Sequence, residues 1–595
     1  MDILQYVCPP GEFTHARDEA CLRERMHLDR AAREFAEDFP EPARRLGLDT
    51  PENPGPGMET LLQGVARIHA DISRRLDDDL PEIAGALLEQ LWPGAMSAYP
   101  ACTILAFQPR LRGGMTQTVP AGAMVESDPV GNESTRCRFR TVTELTLHPL
   151  ELVSIETADT PGGTRVSLCF EVHDPRGAST VLPEYLDLYA ADPRGGAELV
   201  HALRHHTRAL SLWVEGQGER PLVGDRVVDT APRPWQAPMT PWVDASHAGL
   251  HLLQDYLHFP EAFRFLRLYT GSRERLPRET GKFTLHLQLD VHLPTCIPVT
   301  TQSLRLHCIP AINLFEHTAE PIAREPGRSR YPLLPDARAR QSIHAHRVEQ
   351  IIGINGTNAQ RRSYRPALTL GMAEDQPLYQ ALPRPGPNGR WQTWLDLDPA
   401  EAVFPETLSC RLLAHNGDLP HRHLGPGTTV HGVKDIPDTL KVTHLIRPTP
   451  HYPPSDRARW RWDLVSLVCL RQQGMMSTSA LRQVMQLLDR SGSASQRRRL
   501  EGLGELTVTP CNRMVRGAVL HGLEARLCVN EDHFAGEADR VLFASVLERF
   551  LNHYAPLNSF VRLYLEHRPD SGLMPVESRP SLRVAGAVTG LGDLP

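Results

Sequence analysis

Two hydrophobic rhythms divide this chain. Toward the N-terminus apolar residues recur every three or four positions, the repeat of one helical face. Leu22, Met26, Ala31, Phe35 and Phe39 fall near one stripe over 18–39, predicting a helix that Pro40 and Pro42 end. Leu61, Val65, Ile68, Ile72 and Leu76 are spaced 4, 3, 4 and 4 residues apart, a narrow seam suited to packing on another helix. Asp79 then stands as an N-cap ahead of Pro81. Ile83, Leu87, Leu88, Leu91 and Trp92 predict a third helix, closed by Pro93.

From about residue 97 the period falls to two, the mark of half-buried strands. It predicts strands over 103–107, 137–152, 165–172, 185–189, 210–214 and 282–293, with helices near 199–206 and 251–265. Leu304, Leu306 and Cys308 alternate with Arg305 and His307 as a further strand, which Pro310 is expected to stop for want of an N–H. Asn313, Leu314 and Phe315 follow in an apolar exit, a junction expected to pack against something. Strands are predicted at 348–354 and 408–413, with an Asn416-Gly417 turn after the second. Three stretches read as loops: 324–342, with its arginines on a solvated face, 355–390 and 490–499. The stretch 444–454 reads as an extended proline-rich linker.

Helical stripes return at 460–470, at Leu481, Val484, Leu487 and Leu488, and at 541–554. Strands are predicted at 505–509, 514–520, 523–529 and 560–565, before a polar tail over 569–595. The fold class is α+β: a helical N-terminal segment, several β-rich modules and a mixed α/β C-terminal region. The expected segments are 1–95, 96–300, 301–448 and 449–595.

Composition narrows the function classes. A chain of 595 residues suits about three to five domains with real cores. A net charge of −7 argues against a general nucleic-acid surface, which would be strongly basic. The 11 cysteines are scattered and odd in number, with no CxxC, so a cytosolic protein is expected rather than a disulfide framework. MDILQYVCPPGEF is short, acidic and broken by prolines, unlike a signal peptide, and no apolar run approaches the roughly 20 residues of a membrane helix.

Candidate chemistry is sparse. Gly281-Lys282 lacks the upstream glycine and following hydroxyl of a phosphate loop, and Gly502-Leu503-Gly504 lacks a third glycine. HExxH and GxSxG do not occur. The closest histidine groups are His205-His206, His292 with Cys296, His307-Cys308, His344 with His346, and His421 with His423. None has a second cluster at zinc-like spacing. Asp77, Asp78 and Asp79 read as capping and solvated charge rather than a metal site. No catalytic, cofactor-binding or metal residue is predicted. A β-rich hydrolase, the enzymatic alternative, would need a concave pocket with convergent carboxylates.

Several stretches carry a resemblance. FAEDFPEPARRLGLD, METLLQGVARIHADISRRLDDDLPEIAGALLEQLWP, HFPEAFRF, CIPAINLFEHTAEPI, HNGDLP, RGAVLHGLEARLCVNEDHF and LFASVLERFLNHYAPLNSF are similar, in that order, to the motifs of the TssF family, also called VasA or ImpG. Gly417 stands where the family carries arginine. The resemblance implies a non-enzymatic baseplate wedge subunit of a type VI secretion system, phage-wedge-like in architecture. It implies TssG, a second TssF copy, TssK, TssE and the VgrG spike hub as partners, without nucleic acid or direct membrane insertion. It also implies a cytoplasmic location, docked at the inner membrane's cytoplasmic face. A wedge protein of a phage-like or extracellular contractile particle is the alternative. Broad protein faces are what the role asks for, and the residues assigned to them are Leu61, Val65, Ile68, Ile72, Leu76, Ile83, Leu87, Asn313, Leu314 and Phe315.

Overall fold

The computed structural model describes residues 83–567 apart from short internal segments, together with parts of 28–67 and the pair 582–583. The chain divides into two compact units: residues 1–87 with 457–462, and residues 88–456 with 463–595.

In the first unit, Pro40–Arg45 forms a short helix. Ala32 and Ala43 are buried, with Phe35 and Ala36 packed on them. The described residues between 60 and 67 are helical, as the seam of apolar residues predicts. Ile68, Ile72, Leu76 and the three aspartates lie outside the described residues.

The second unit is built around a closed six-stranded barrel. Its staves, in order, are Cys102–Pro109, Cys308–Ile312, Thr135–Thr141, Met124–Val130, Thr429–Lys434 and Leu440–His444. Leu105, Phe107, Val125, Phe139, Ile309, Val430 and Val442 fill it. Staves from both middle segments are needed to close the ring, so the expected division at residue 300 runs through a single barrel.

Pro310 does not end its strand. It pairs with Ile104 inside the stave Cys308–Ile312. Phe107 N donates to His307 O and Asn313 N to Ala101 O, so odd-numbered residues carry the bonds to the neighbouring stave. Pro310 points its missing donor the other way, where its carbonyl still accepts from Val142 N at 3.1 Å. The break falls at His307, whose φ of 55° separates Leu304–Leu306 from Cys308–Ile312.

The remaining described strands form further sheets. A five-stranded sheet (Gly218–Leu222, Thr207–Val214, Lys282–Leu289, Gly163–Val172, Leu150–Thr160) shares one core with a four-stranded sheet and the helix Gly196–His206. An eight-stranded sheet runs from Phe315–Thr318 through Glu406–His415, His344–Asn355, Arg361–Pro366, Leu378–Pro385 and Trp391–Leu397 to Arg330–Pro332, with Ile322–Ala323 beside it. Two of these strands lie in the stretch 355–390 that reads as loop. Their prolines and arginines mask the alternation. The 17-residue helix Glu537–His553 covers the C-terminal sheet, whose first two strands are a long hairpin, Leu503–Val515 and Ala518–Val529.

Three further expectations change. Residues 494–501 are helical, not loop, and Arg499 fixes that helix to Asp539 through two bonds of 2.8 and 2.9 Å. The supposed linker after His444 is tied down: Leu445 N donates to Ile104 O and Thr449 N to Cys102 O, both at 2.8 Å. Arg324 is not on a solvated face. Its guanidinium is buried against Glu406 at 3.3 Å and the Tyr364 hydroxyl at 3.0 Å.

Candidate functional site

The motif stretches CIPAINLFEH and HNGDLP meet in space. Asn313, at the barrel exit, and Asn416, at the end of the strand Glu406–His415, exchange bonds: Asn416 N donates to Asn313 Oδ1 at 2.7 Å, and Asn313 Nδ2 to Asn416 Oδ1 at 2.8 Å. Arg138 of the barrel completes the knot, with N donating to Asn416 Oδ1 at 3.2 Å and O accepting from Asn313 Nδ2 at 2.6 Å. The ladder between Cys308–Ile312 and Thr135–Thr141 reaches Arg140 and stops. Beyond it the two asparagine side chains replace main-chain partners. Asn416 Nδ2 spends its remaining capacity on Ser342 O at 3.1 Å. Gly417, at φ 57°, makes the turn that follows.

This corrects one group of expected interface residues. Asn313 and Leu314 have no exposed surface and Phe315 only 2%. Phe315 packs with Ala339, Ile343, Ala414 and Met124, under the Arg138 guanidinium at 5.5 Å. The motif is an internal rivet between barrel and eight-stranded sheet. An apolar run after a strand suits a core as well as an interface, and only the three-dimensional register of Asn416 decides between them.

The other expected residues behave differently. Leu61 is 61% exposed, Val65 43%, Ile83 54% and Leu87 37%. Leu61 and Val65, four apart in helical structure, share a face, as do Ile83 and Leu87 within the helical residues 83–91. These are large apolar side chains left in water within this chain.

Buried titratable groups are occupied structurally. Asp255, in the helix Ala248–His258, accepts from Tyr99 Oη and from Met239 N, both at 2.9 Å, and burial pushes its carboxyl up to about 7. His258 stacks on Tyr99 at 4.7 Å and meets the tilted ring of Tyr452 at 4.7 Å, and burial holds it down at about 3. The pair His344 and His346 gains neighbours that sequence does not reveal, His415 and His451, with ring separations to His415 of 5.5, 6.3 and 5.8 Å. Burial keeps His346 at about 3 and His415 well below the usual histidine range, so both rings are neutral at pH 7. Among the described residues no three His, Cys, Asp or Glu side chains are arranged to hold a metal ion. The histidines line a cavity of about 1340 Å³ beside the rivet, together with Tyr379 and Trp391.

The sequence model of the family "Type VI secretion system, TssF" matches residues 21–583. The chain belongs to the TssF family. Among similar proteins is the type VI secretion system component TssF1 of Pseudomonas aeruginosa PAO1, 25% identical over 635 residues, covering 94% of this chain and 98% of that protein. Two solved structures share the fold. One is a chain from a TssK-TssF-TssG baseplate subcomplex determined by cryo-electron microscopy, with a TM-score of 0.74, 28% identity, and 89% of this chain and 100% of that chain covered. The other is a chain of a type VI secretion baseplate complex, with a TM-score of 0.60, 26% identity and coverages of 95% and 99%. The family is a structural component of the type VI secretion baseplate. No described helix is long and apolar enough to cross a membrane.

Proposed function

We propose that this chain is a wedge subunit of a type VI secretion baseplate. It assembles with TssG, TssK, TssE and a second copy of itself around the VgrG spike hub, and it has no catalytic role. The assembled particle docks at the cytoplasmic face of the inner membrane and templates tube and sheath growth. One observation carries this reading: the fold likeness to a chain of the TssK-TssF-TssG subcomplex extends over the whole of that chain. The exposed apolar residues Leu61, Val65, Ile83 and Leu87 support it, since such a face is stable when a partner covers it.

Co-expression with the TssG and TssK of the same secretion system tests the proposal. A complex that survives size exclusion is expected. The double variant Leu61→Glu/Val65→Glu should leave the melting temperature within about 2 °C, because exposed substitutions away from special features cost little. It should lower TssG recovery at least tenfold. A chain that stays monomeric and ignores TssG refutes the reading. Full recovery by the double variant removes only that face from the interface.

A further inference from the structure

Residues 92–102 carry the chain from the helical residues 83–91 into the first barrel stave. Trp92 closes the helix, its N–H on Leu88 O at 2.7 Å, and is only 2% exposed. Its indole N–H donates to His251 Nε2 at 3.2 Å, and its ring stacks on His247 at 5.9 Å. Two tight turns follow, closed by Ala95 N on Trp92 O and Ser97 N on Gly94 O. Tyr99 then pairs with Tyr452 through two main-chain bonds of 2.8 Å, an isolated bridge rather than a ladder. Between Trp92 and Cys102 this strap has no helix or strand of its own, so its course is set by the groups that grip it.

Those groups come from elements far apart in sequence. The helix Ala248–His258 supplies His251 and Asp255, which accepts from Tyr99 Oη at 2.9 Å. The strand His344–Asn355 supplies His346 O, which accepts from Ser97 Oγ at 2.8 Å. The third grip is Arg490, just beyond the helix Thr478–Leu488 and 393 positions from Ser97. Its guanidinium donates to Ser97 O at 2.6 Å and to Ala95 O at 2.8 Å. Its main-chain N–H donates to His258 Nε2 at 3.2 Å. One residue thus ties the strap and the helix Ala248–His258 to the C-terminal region.

The joint is polar, whereas the cores around it are apolar. Asp255 is 1% exposed and His258 3%, and Arg490 is half-buried. When the strap lifts, water solvates all three groups, a return that parting an apolar core does not give. Opening here is therefore cheaper than opening the barrel. The strongest bonds in the joint are those from the charged guanidinium, so their release frees the strap. The helix 83–91 is placed to act on it. Ile83, Leu87 and Leu91 are exposed at i, i+4 spacing, and the same helix ends in Trp92.

We propose that Arg490 and the strap 92–102 form a latch. It opens as one unit when the guanidinium leaves Ala95 O and Ser97 O. A partner subunit seated on the Ile83, Leu87 and Leu91 face fixes the helix and Trp92, and so holds the latch shut. Docking is thereby felt at Arg490, because the partner binds the closed form better than the open one. This inference rests on the wedge-subunit reading.

Amide hydrogen exchange at single-residue resolution tests it, on the full chain alone and in the complex co-purified with TssG and TssK. Alone, the amides of Tyr99, Tyr452 and Arg490 should exchange together, about tenfold or more faster than the barrel amide of Phe107. In the complex all three should slow about tenfold while Phe107 stays unchanged. Tenfold is about 1.4 kcal/mol, less than one hydrogen bond from a charged group contributes. In Arg490→Ala the complex should form and Tyr99 and Tyr452 should still slow, but the amide at position 490 should not. Arg490→Lys, which keeps a charged donor, should restore part of that slowing. Ile83→Glu/Leu87→Glu should abolish the slowing at all three. The Phe107 amide reports whether each variant folds, and if one does not, the two wild-type measurements decide. Three amides as slow as Phe107 in the isolated chain overturn the latch. So does a complex that forms without slowing them, which leaves the wedge reading standing. Slowing at position 490 that survives Arg490→Ala, or slowing that survives the double variant, also overturns it. If no complex forms, the wedge reading fails, and this proposal with it.

Discussion

Asn313→Ala cuts the rivet at its centre. The side chain makes three bonds in a site without solvent: one from Asn416 N, and two given to Arg138 O and Asn416 Oδ1. Asn416 Oδ1 keeps Arg138 N, so two main-chain groups, Asn416 N–H and Arg138 C=O, lose their side-chain partner. Leaving a buried group unsatisfied costs about 1–3 kcal/mol, so the substitution should cost about 2–6 kcal/mol locally. About 3 kcal/mol corresponds to roughly 10²-fold faster local opening. Exchange of the Asn416 amide reads this directly and avoids assigning one unfolding energy to a chain with several cores. Asn313→Asp is the sharper variant. It keeps shape and still accepts from Asn416 N, but sets a second acceptor against Arg138 O and Asn416 Oδ1, and should be about as harmful as alanine. An Asn416 amide exchanging within threefold of wild type in both variants would falsify the rivet.

Two further outcomes are expected. Arg324→Met strands Glu406, whose remaining side-chain partner is the Tyr364 hydroxyl at 2.7 Å, and should cost about 3 kcal/mol; Arg324→Met/Glu406→Leu should recover part of it. Equal melting temperatures for single and double variants would show that the stranded charge is not the cause. Asp255 binds a proton up to about pH 7 when folded, whereas an exposed carboxyl releases it near pH 4. Its contribution to stability therefore falls as pH rises between these values and is flat above pH 7. Asp255→Asn should be relatively less stable than wild type at pH 5 than at pH 7.5, measured by urea midpoint; a difference between the two proteins that does not change with pH sinks this assignment.

The strands that alternate cleanly are legible in the sequence. Lys282–Leu289 buries Phe283, Leu285, Leu287 and Leu289, the residues its pattern nominates. What periodicity misses is whatever depends on partners distant along the chain. Arg361–Pro366 and Leu378–Pro385 are polar and proline-bearing, yet their neighbours in the sheet make them strands. The helix Ala494–Glu501 has three consecutive arginines, and Asp539 holds the third. Asn416 is visible as a turn residue, but its bond to Asn313 spans 103 positions, beyond any periodicity. The exposed face of Leu61 and Val65 follows from spacing; what covers it does not.

The barrel has a consequence for how the protein is made. Its first stave begins at Cys102 and its last ends at His444, so a ribosome must deliver more than three hundred residues before the ring can shut. Until then the early staves wait with open edges while the intervening sheets are synthesised, and contacts of such long sequence separation form slowly. Truncations ending before His444 should therefore collect as aggregates rather than as smaller folded proteins.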